Sequence, residues 1–176
     1  QALAARYGLS PAQLTLGNGS NDVLVLLAEA FLTPGTEAVY SQYCFAVYPL
    51  AVQATGARAV VVPAHPATHA TMPLGHGLDA TLAAITPATR LVFIANPNNP
   101  TGTVYSREEV LRVATFCRDH DLFLVSDEVY REFVYDGAHS VSALSLGGFE
   151  DQVILVDSLS NRYSACGIRL GSLATR

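Results

Sequence analysis

The sequence predicts an α/β protein in which a mostly parallel sheet is flanked by helices. Short, continuously apolar runs alternate along the chain with amphipathic helical patterns, as is typical of parallel strands joined by crossover helices. The 176 residues include 50% apolar side chains and only 14% charged ones, which is enough for one substantial buried core. We therefore expect a single domain that extends over the whole chain.

Helices are predicted from apolar spacing and from signals at their ends. The expected helices cover positions 21–32, 46–55, 78–85 and a segment that begins after Ser106. Pro34 and Gly35 follow the first helix and end it. Ser106 with Glu109 three residues later forms a capping-box pattern, so the start of the last helix is the best defined.

Strands are predicted where the chain is apolar without interruption. The runs are Ala59–Val62, Leu91–Ala95, Leu122–Val125 and Val153–Val156. Strands that are apolar on both faces belong in a parallel sheet covered by helices, because crossover connections bury both sides. The segment from His65 to Gly77 is rich in Pro, His, Thr and Gly, and we expect it to be a long surface excursion.

Polar and sharply turning residues directly follow three of these runs. The segments are Asn96–Gly102, Ser126–Tyr130 and Asp157–Asn161. Open α/β sheets bind ligands beyond the carboxyl ends of their strands, where the loops converge. The sequence therefore predicts a ligand site at this edge of the sheet.

Charge and hydropathy exclude several classes of partner. The chain has 10 basic and 15 acidic residues, a formal charge of −5, and no basic stripe, so nucleic acid is not expected as a partner. No apolar run approaches the roughly 18 residues of a membrane-spanning helix, and the N-terminus lacks a secretory pattern. We expect no membrane association and a cytoplasmic location. Cys44, Cys117 and Cys166 are widely spaced, which favours reduced thiols.

Other kinds of site lack their signatures. We predict no metal site, because His65 and His69 have no nearby carboxylate and no H-E-x-x-H motif is present. The G-x-S-x-G motif of serine hydrolases is absent. Gly17-Asn-Gly19 begins like a nicotinamide-binding motif, but Asp22 stands where the third glycine belongs.

Three motifs and one glycine-rich turn together resemble the large domain of fold-type I, class I/II aminotransferases, which depend on pyridoxal 5'-phosphate (PLP). They are Asn96-Pro-Asn-Asn-Pro-Thr-Gly102, Ser126-Asp-Glu-Val-Tyr130, the stretch Ser158–Arg169 and the turn Gly17-Asn-Gly-Ser-Asn21. Each is weak alone, but their common order and their positions after strands make the resemblance specific. Residues 42–57 are similar to histidinol-phosphate aminotransferases, whereas Asp127–Phe133 and Arg162–Gly167 are more similar to aspartate or broad-specificity aminotransferases.

The resemblance implies a role for each matched residue around the pyridine ring. Asp127 matches the carboxylate that keeps the pyridine nitrogen protonated, so that the ring accepts electrons from the substrate's Cα. Tyr130 and Asn99 match groups that hydrogen-bond the phenolic oxygen, and Phe45 matches the aromatic residue that stacks on the ring. Structural roles remain open: Asp127 could cap a loop, Asn99 could shape a turn, and Phe45 could be a core residue.

The resemblance also implies a set of phosphate ligands. They are Gly19, Ser20, Asn21, Ser158, Ser160 and Arg169. The free N–H groups at a helix start form an anion site, and an arginine adds a charge-assisted clamp. A surface salt bridge is the alternative role for Arg169, and Arg162 is expected on the phosphate side or at an interface. Residues 169–175 are expected to form the antiparallel strand of the family's sheet.

One position departs from the family pattern. The lysine that forms the Schiff base with PLP aligns with Asn161, and all basic residues of this chain are arginine, so no other lysine can replace it. A carboxamide neither forms an imine nor accepts the Cα proton. The difference has three explanations: an engineered substitution, a natural paralogue that binds without turnover, or a partial or assembled sequence.

The resemblance implies a PLP-dependent aminotransferase that moves an amino group from an amino acid or a histidinol-phosphate-like donor to a 2-oxo acid. Its catalytic positions are Asn161, Asp127 and Tyr130, and turnover by this lysine-free chain is expected to be impaired. The alternative is a non-catalytic module that binds PLP or an aldimine on the same fold. We expect residues 1–176 to be the PLP-binding large domain of a homodimer, with an N-terminal arm and a C-terminal small domain outside this chain.

Overall fold

One seven-stranded mixed sheet forms the centre of the computed structural model, which describes all 176 residues. The strands are β1 Leu14–Asn18, β2 Glu37–Ser41, β3 Arg58–Val62, β4 Thr89–Ala95, β5 Phe123–Asp127, β6 Val153–Ser158 and β7 Leu170–Ala174. Their order across the sheet is β1-β7-β6-β5-β4-β2-β3. Strands β2 to β6 run parallel, and β7 lies antiparallel to both β6 and β1. The predicted fold class is confirmed.

Helices cover both faces of this sheet. They are α1 Ala2–Tyr7, α2 Ser20–Phe31, α3 Val47–Ala54, α4 Leu78–Ala83, α5 Arg107–Asp119 and α6 Leu159–Arg162. Helices α2 and α3 pack on one face in a core cluster of 17 buried residues. Helix α5 packs on the other face in a second cluster of 17. None of the helices combines the length and the apolar character needed to cross a membrane.

The predicted helices form within a few residues of their expected bounds. Ser106 is the N-cap of α5, where its hydroxyl accepts a hydrogen bond from the Glu109 amide at 3.2 Å. The Glu109 carboxylate in turn accepts one from the Ser106 amide at 2.7 Å. This reciprocal pair is the capping box, so the start of α5 is encoded locally.

The strands agree with the expected runs, with two corrections. The antiparallel strand expected over 169–175 is β7. Strand β3 was expected to be buried on both faces, but it is the free edge of the sheet, and the Val61 side chain is 53% exposed. The segment from His65 to Gly77 was expected to lie on the surface, but its end is buried: His76 is 1% exposed and forms a β-bridge with Ala64.

Two strands were not predicted because their composition conceals them. Strand β2 is buried at every position, but it begins with Glu37 and ends with Ser41, which interrupt the apolar pattern. The Glu37 carboxylate accepts hydrogen bonds from Arg58 at 3.0 Å and Thr86 at 2.8 Å, so its burial is compensated by partners. Strand β1 is exposed or half-buried throughout and is held by pairing with β7.

Candidate functional site

A hollow lined by both polar and apolar residues lies at the carboxyl edge of the parallel strands, where the sequence predicts a ligand site. It has an empty volume of about 310 Å³, part of which is open to solvent, between the ends of β4, β5 and β6 and the start of α2. Its lining residues are Ser20, Phe45, Ala95, Asn99, Asp127, Val129, Tyr130 and Asn161. Six residues singled out from the sequence therefore converge on one space, although they come from five separate segments of the chain.

Asp127 is the buried carboxylate of this hollow. It is the last residue of β5 and is only 7% exposed. Its Oδ2 accepts a hydrogen bond from the Tyr48 hydroxyl at 2.7 Å, and Oδ1 accepts one from the Val129 amide at 3.3 Å. Burial raises the pKa of Asp127 to about 6, although both hydrogen bonds act in the opposite direction. A cation in the hollow would favour its ionised form.

Phe45 and Tyr48 form the aromatic side of the hollow. Phe45 is half-buried, and its ring meets that of Tyr48 edge-on at 6.2 Å and 89°. Tyr48 is fully buried and stacks on Phe93 at 4.8 Å. A half-buried ring on the lining can offer a face to a planar ligand, and the same ring also packs against the core cluster.

In the asparagine-rich turn after β4, two asparagine side chains stabilise the turn and one lines the hollow. The amide nitrogen of Asn98 donates to the Thr101 hydroxyl at 2.6 Å, and Asn96 accepts from the Tyr105 amide at 2.9 Å. These two residues shape the turn. Asn99 instead lines the hollow beside Tyr130, and its side chain remains available for a ligand.

An anion-binding arrangement stands at the start of α2. Gly19 precedes the helix with a φ of 86°, in the left-handed region where a side chain is strained. The Arg169 guanidinium lies against Gly19 and donates to the Asn18 carbonyl at 3.0 Å and the Cys166 carbonyl at 3.1 Å. A guanidinium thus faces free helix N–H groups, which together favour an anion.

The remaining predicted phosphate ligands lie around this arrangement but not on the lining of the hollow. Asn21 is exposed. Ser158 is 4% exposed; its hydroxyl accepts from the Ser160 amide at 3.1 Å and donates to the Leu170 carbonyl at 3.4 Å. Ser158 is therefore the N-cap of α6. Arg169 has no carboxylate partner, so the surface salt bridge considered for it does not form.

Asn161 lies in α6 and lines the hollow. The next residue, Arg162, was expected on the phosphate side or at an interface, and within this chain it lies in an ion pair. Its guanidinium is 5% exposed and pairs with the Asp157 carboxylate at 2.9 Å. The structure also contains no group of three or more His, Cys, Asp or Glu side chains placed to hold a metal ion.

Sequence reasoning missed two contributors to the site. Tyr48 follows Phe45 by three residues, and that spacing would have placed both rings on one side of a helical turn. Asp157 is the second-last residue of β6 and begins the polar segment 157–161, but its partners Tyr7 and Arg131 are remote in sequence. No local pattern could have identified those contacts.

A mostly parallel sheet with a buried carboxylate and an anion-binding helix start at its carboxyl edge defines an α/β protein that binds an anionic small molecule. The sequence matches the family model "Aminotransferase class I and II" over residues 1–176. The chain therefore belongs to the class I and II aminotransferases, a PLP-dependent family.

The most similar curated relatives include histidinol-phosphate aminotransferases. Histidinol-phosphate aminotransferase 2 of Methylococcus capsulatus is 45% identical over 174 residues, which is 99% of this chain and 46% of the relative. The histidinol-phosphate aminotransferase of Methylobacillus flagellatus is 48% identical over 166 residues, 94% of this chain and 42% of the relative. The chain thus spans less than half the length of the curated relatives that it matches.

Solved structures of other aminotransferases share the fold. A single mutant of the Thermus thermophilus aspartate aminotransferase superimposes with a TM-score of 0.89 at 28% identity, covering 99% of this chain and 45% of that one. The aromatic aminotransferase from Pyrococcus horikoshii gives 0.85 at 32% identity, covering 93% and 43%.

The residues present fit PLP in two respects and disagree in one. A buried carboxylate with a raised pKa suits a pyridinium nitrogen, and the guanidinium against Gly19 at the start of α2 suits a phosphate. The third feature, an amine for covalent attachment, is missing because Asn161 lines the hollow and the chain contains no lysine.

Proposed function

We propose that this chain is the PLP-binding large domain of an aminotransferase and that, as written, it holds PLP without a covalent bond. The observation that carries the proposal is the convergence of Asp127, Tyr130 and Asn99 with Phe45 and Ser20 on one hollow. These residue types provide a counter-charge, hydrogen-bond partners and an aromatic face, which are the contacts that a phosphorylated pyridine needs.

Each of these residues has a separate task in the proposed site. Asp127 holds a proton on the pyridine nitrogen, and Tyr48 orients its carboxylate from below. Tyr130 and Asn99 bind the phenolic oxygen, while Phe45 covers the ring. Bound PLP supplies an electron sink for the pair released at the substrate's Cα.

The phosphate is proposed to bind at the start of α2 and at the residues next to it. Ser20 and Asn21 present backbone N–H groups, and Arg169 provides the charge. Gly19 contributes close approach of the backbone, because its own N–H donates to the Gly17 carbonyl at 2.9 Å. Ser160 and the N-cap Ser158 are proposed as further ligands through their hydroxyl groups; Ser158 would exchange its 3.4 Å bond to the Leu170 carbonyl for the phosphate. Without Arg169 the phosphate loses its counter-ion, so the preference for PLP over pyridoxal should become smaller.

Asn161 determines how much chemistry the proposed site can perform. Its carboxamide donates hydrogen bonds but has no basic nitrogen, so the site lacks both the covalent attachment point and the base for the Cα proton. Loss of a positioned acid or base lowers rates by about 10² to 10⁴. We therefore expect ligand binding with severely reduced turnover.

We propose a histidinol-phosphate-like amino donor and a 2-oxo acid acceptor for the full protein. The support is the 40–48% identity to histidinol-phosphate aminotransferases, which agrees with the resemblance of residues 42–57. We also propose a cytoplasmic homodimer whose N-terminal arm and C-terminal small domain lie outside residues 1–176. Sedimentation analysis of the full-length protein tests the dimer.

A PLP titration of the purified chain tests the proposal. We expect saturable, reversible binding, and we expect Asp127→Asn to weaken it about tenfold or more, since a neutral amide stabilises the pyridinium less. Asp151→Asn, an exposed position far from the hollow, is the matched control. An unsubstituted chain that shows no saturable binding would contradict the proposal.

A non-catalytic binding module is the second candidate, and the missing lysine favours it. The Asn161→Lys variant distinguishes the two. A disabled aminotransferase should regain a covalent link to PLP and produce pyridoxamine phosphate when an amino acid is added. A binding module should gain the covalent link but never form the pyridoxamine product.

A further inference from the structure

A cluster of five charged residues lies behind the hollow and connects two of its walls. This charge cluster consists of Glu128, Arg131, Glu132, Asp157 and Arg162. The first three follow β5 and surround Tyr130 in the sequence. The last two enclose residues 158–161, so the cluster joins the segment of Tyr130 to the segment of Asn161.

Asp157 is the centre of the charge cluster. It is 3% exposed. Its Oδ1 accepts from Nη2 of Arg162 at 2.9 Å, and its Oδ2 accepts from Nη2 of Arg131 at 3.0 Å. The Tyr7 hydroxyl also donates to Oδ2. Two guanidinium groups and one hydroxyl therefore fix this carboxylate on both sides.

The arginines reach from Asp157 to the other wall of the hollow. Nε of Arg162 lies 3.4 Å from the Glu132 carboxylate, and Nε of Arg131 lies 3.8 Å from the same group. The exposed fractions of the two arginine side chains are only 5% and 16%. The Glu132 side chain is 50% exposed, whereas Asp157 and both arginines are largely buried. The buried pairs with Asp157 have few alternative partners, so they favour one arrangement of the segments that carry them, and Glu132 adds a weaker charge contact.

Helix α6 needs such support because it has only four residues. An isolated helix of that length is unstable in water. Ser158 caps the first turn of α6 by accepting a hydrogen bond from the Ser160 amide. Arg162 is the last residue of α6 and pairs with Asp157 near the end of β6. Residue 161 lies between these two attachments, and its side chain lines the hollow.

We infer that Arg162 is a positioning residue: its pairing with Asp157 and Glu132 fixes α6 so that the side chain of residue 161 lines the same hollow as Tyr130. This inference rests on the proposed function, because only in a PLP site is residue 161 the position of covalent attachment. Arg162 contacts neither the hollow nor the proposed ligand. It acts through the backbone that it shares with residue 161.

The Asn161→Lys background makes the position of residue 161 measurable. The introduced amine and the PLP aldehyde condense to an imine with loss of water, and borohydride reduces the imine to a stable adduct that is counted by mass spectrometry. Arg162→Leu removes the pairing, and Arg162→Gln keeps a short donor in case the leucine variant does not fold. Arg112→Leu breaks the surface ion pair between Arg112 on α5 and Asp79 on α4 and is the matched control.

Non-covalent PLP binding is measured separately, with the same substitutions in the unaltered Asn161 chain. We expect Arg162→Leu to slow adduct formation about tenfold or more, since a misplacement near 1 Å is sufficient for that effect, and to change the dissociation constant less than about threefold. Arg162→Gln should show a smaller effect in the same direction, and Arg112→Leu should show none.

Two results would overturn the inference by itself. Adduct formation at the same rate with and without Arg162 would mean that residue 161 is positioned by other contacts. An equal loss of adduct formation and of non-covalent binding would mean that Arg162 only maintains the fold. Failure of the proposed function has a different signature, because the unsubstituted chain would then bind no PLP, and the inference would fall with it.

Discussion

The Tyr48 hydroxyl donates a 2.7 Å hydrogen bond to Oδ2 of Asp127, although the two residues are 79 positions apart. Tyr48 has no freedom to move away, because it is fully buried and stacked on Phe93 at 4.8 Å. This bond stabilises the ionised carboxylate against the burial that opposes it. Tyr48 therefore controls the charge of the residue on which the proposed site depends.

Replacing Tyr48 by Phe should move the pH dependence of PLP binding upwards. Loss of the hydrogen bond raises the pKa of Asp127 further above its ordinary value, so the carboxylate is neutral up to a higher pH. When PLP affinity is measured from pH 8 down to pH 5, the loss of affinity should therefore begin at a higher pH in Tyr48→Phe than in the unsubstituted chain. Tyr40→Phe, also at a buried tyrosine, should leave the profile unchanged, and an unshifted Tyr48→Phe profile would refute the assignment.

The free energy of unfolding of the chain without PLP should decrease between about pH 4.5 and pH 7. Burial raises the pKa of Asp127 to about 6 and that of Glu128 to about 7. In this range these two carboxyls bind more protons in the folded state than in the unfolded state, so their contribution to stability falls as the pH rises. Burial lowers the pKa of His76, which acts in the opposite direction over part of the range, but one group opposes two. Urea unfolding across the range should show a decrease of about 1 to 3 kcal/mol.

The Glu128→Gln variant tests which groups cause this decrease. It should flatten the slope mainly at the upper end of the range, because the carboxyl of Glu128 titrates last. Glu29→Gln, on the exposed surface of α2, should reproduce the slope of the unsubstituted chain. A slope that stays unchanged in Glu128→Gln would assign the effect to other groups.

Gly19→Ala should lower PLP affinity about tenfold or more, because a Cβ at this position collides with the Arg169 guanidinium. Gly35→Ala is an informative control, since Gly35 also has a positive φ of 95° but has nothing within 4 Å of the added carbon. Both variants carry backbone strain of about 1 kcal/mol, but only Gly19→Ala should affect binding. Equal affinities in isothermal titrations of the two variants would argue against the proposed phosphate site.

Ser106→Ala should destabilise the fold by about 1 kcal/mol, because it removes the acceptor that binds the Glu109 amide at the start of α5. Ser106→Asp keeps an acceptor at the N-cap and should retain nearly full stability. Urea denaturation monitored by circular dichroism measures both. A cost for the aspartate variant as large as that for alanine would indicate a role other than capping.

Local patterns predicted most elements of the fold, and the failures have specific causes. The capping box of Ser106 and Glu109 fixes α5 by contacts within four residues, so it was visible in the sequence. Strand β2 was hidden because Glu37 is polar, and its burial depends on Arg58 and Thr86, which lie on later segments. The edge position of β3 depends on strand order, which no local pattern encodes.

The residues of the site also differ in whether the sequence could predict them. Loops after parallel strands collect at one edge, so the convergence of Asp127, Asn99 and Asn161 could be predicted. Which neighbours become hydrogen-bond partners could not, because Asn98 rather than Asn99 closes the turn. Ser158 and Arg162 similarly proved to be a helix cap and a buried ion pair.

The sequence by itself determined the alternation of helices and strands, the polar loops after the strands, and the lack of any lysine at position 161 or elsewhere. These properties are local or compositional, so they can be recognised from the sequence alone. Only the tertiary structure decided that Tyr48 reaches Asp127 and that Tyr7 reaches Asp157 across 150 positions. Such contacts arise when helices pack on an ordered sheet, and their distances depend on every strand and helix that lies between the two residues.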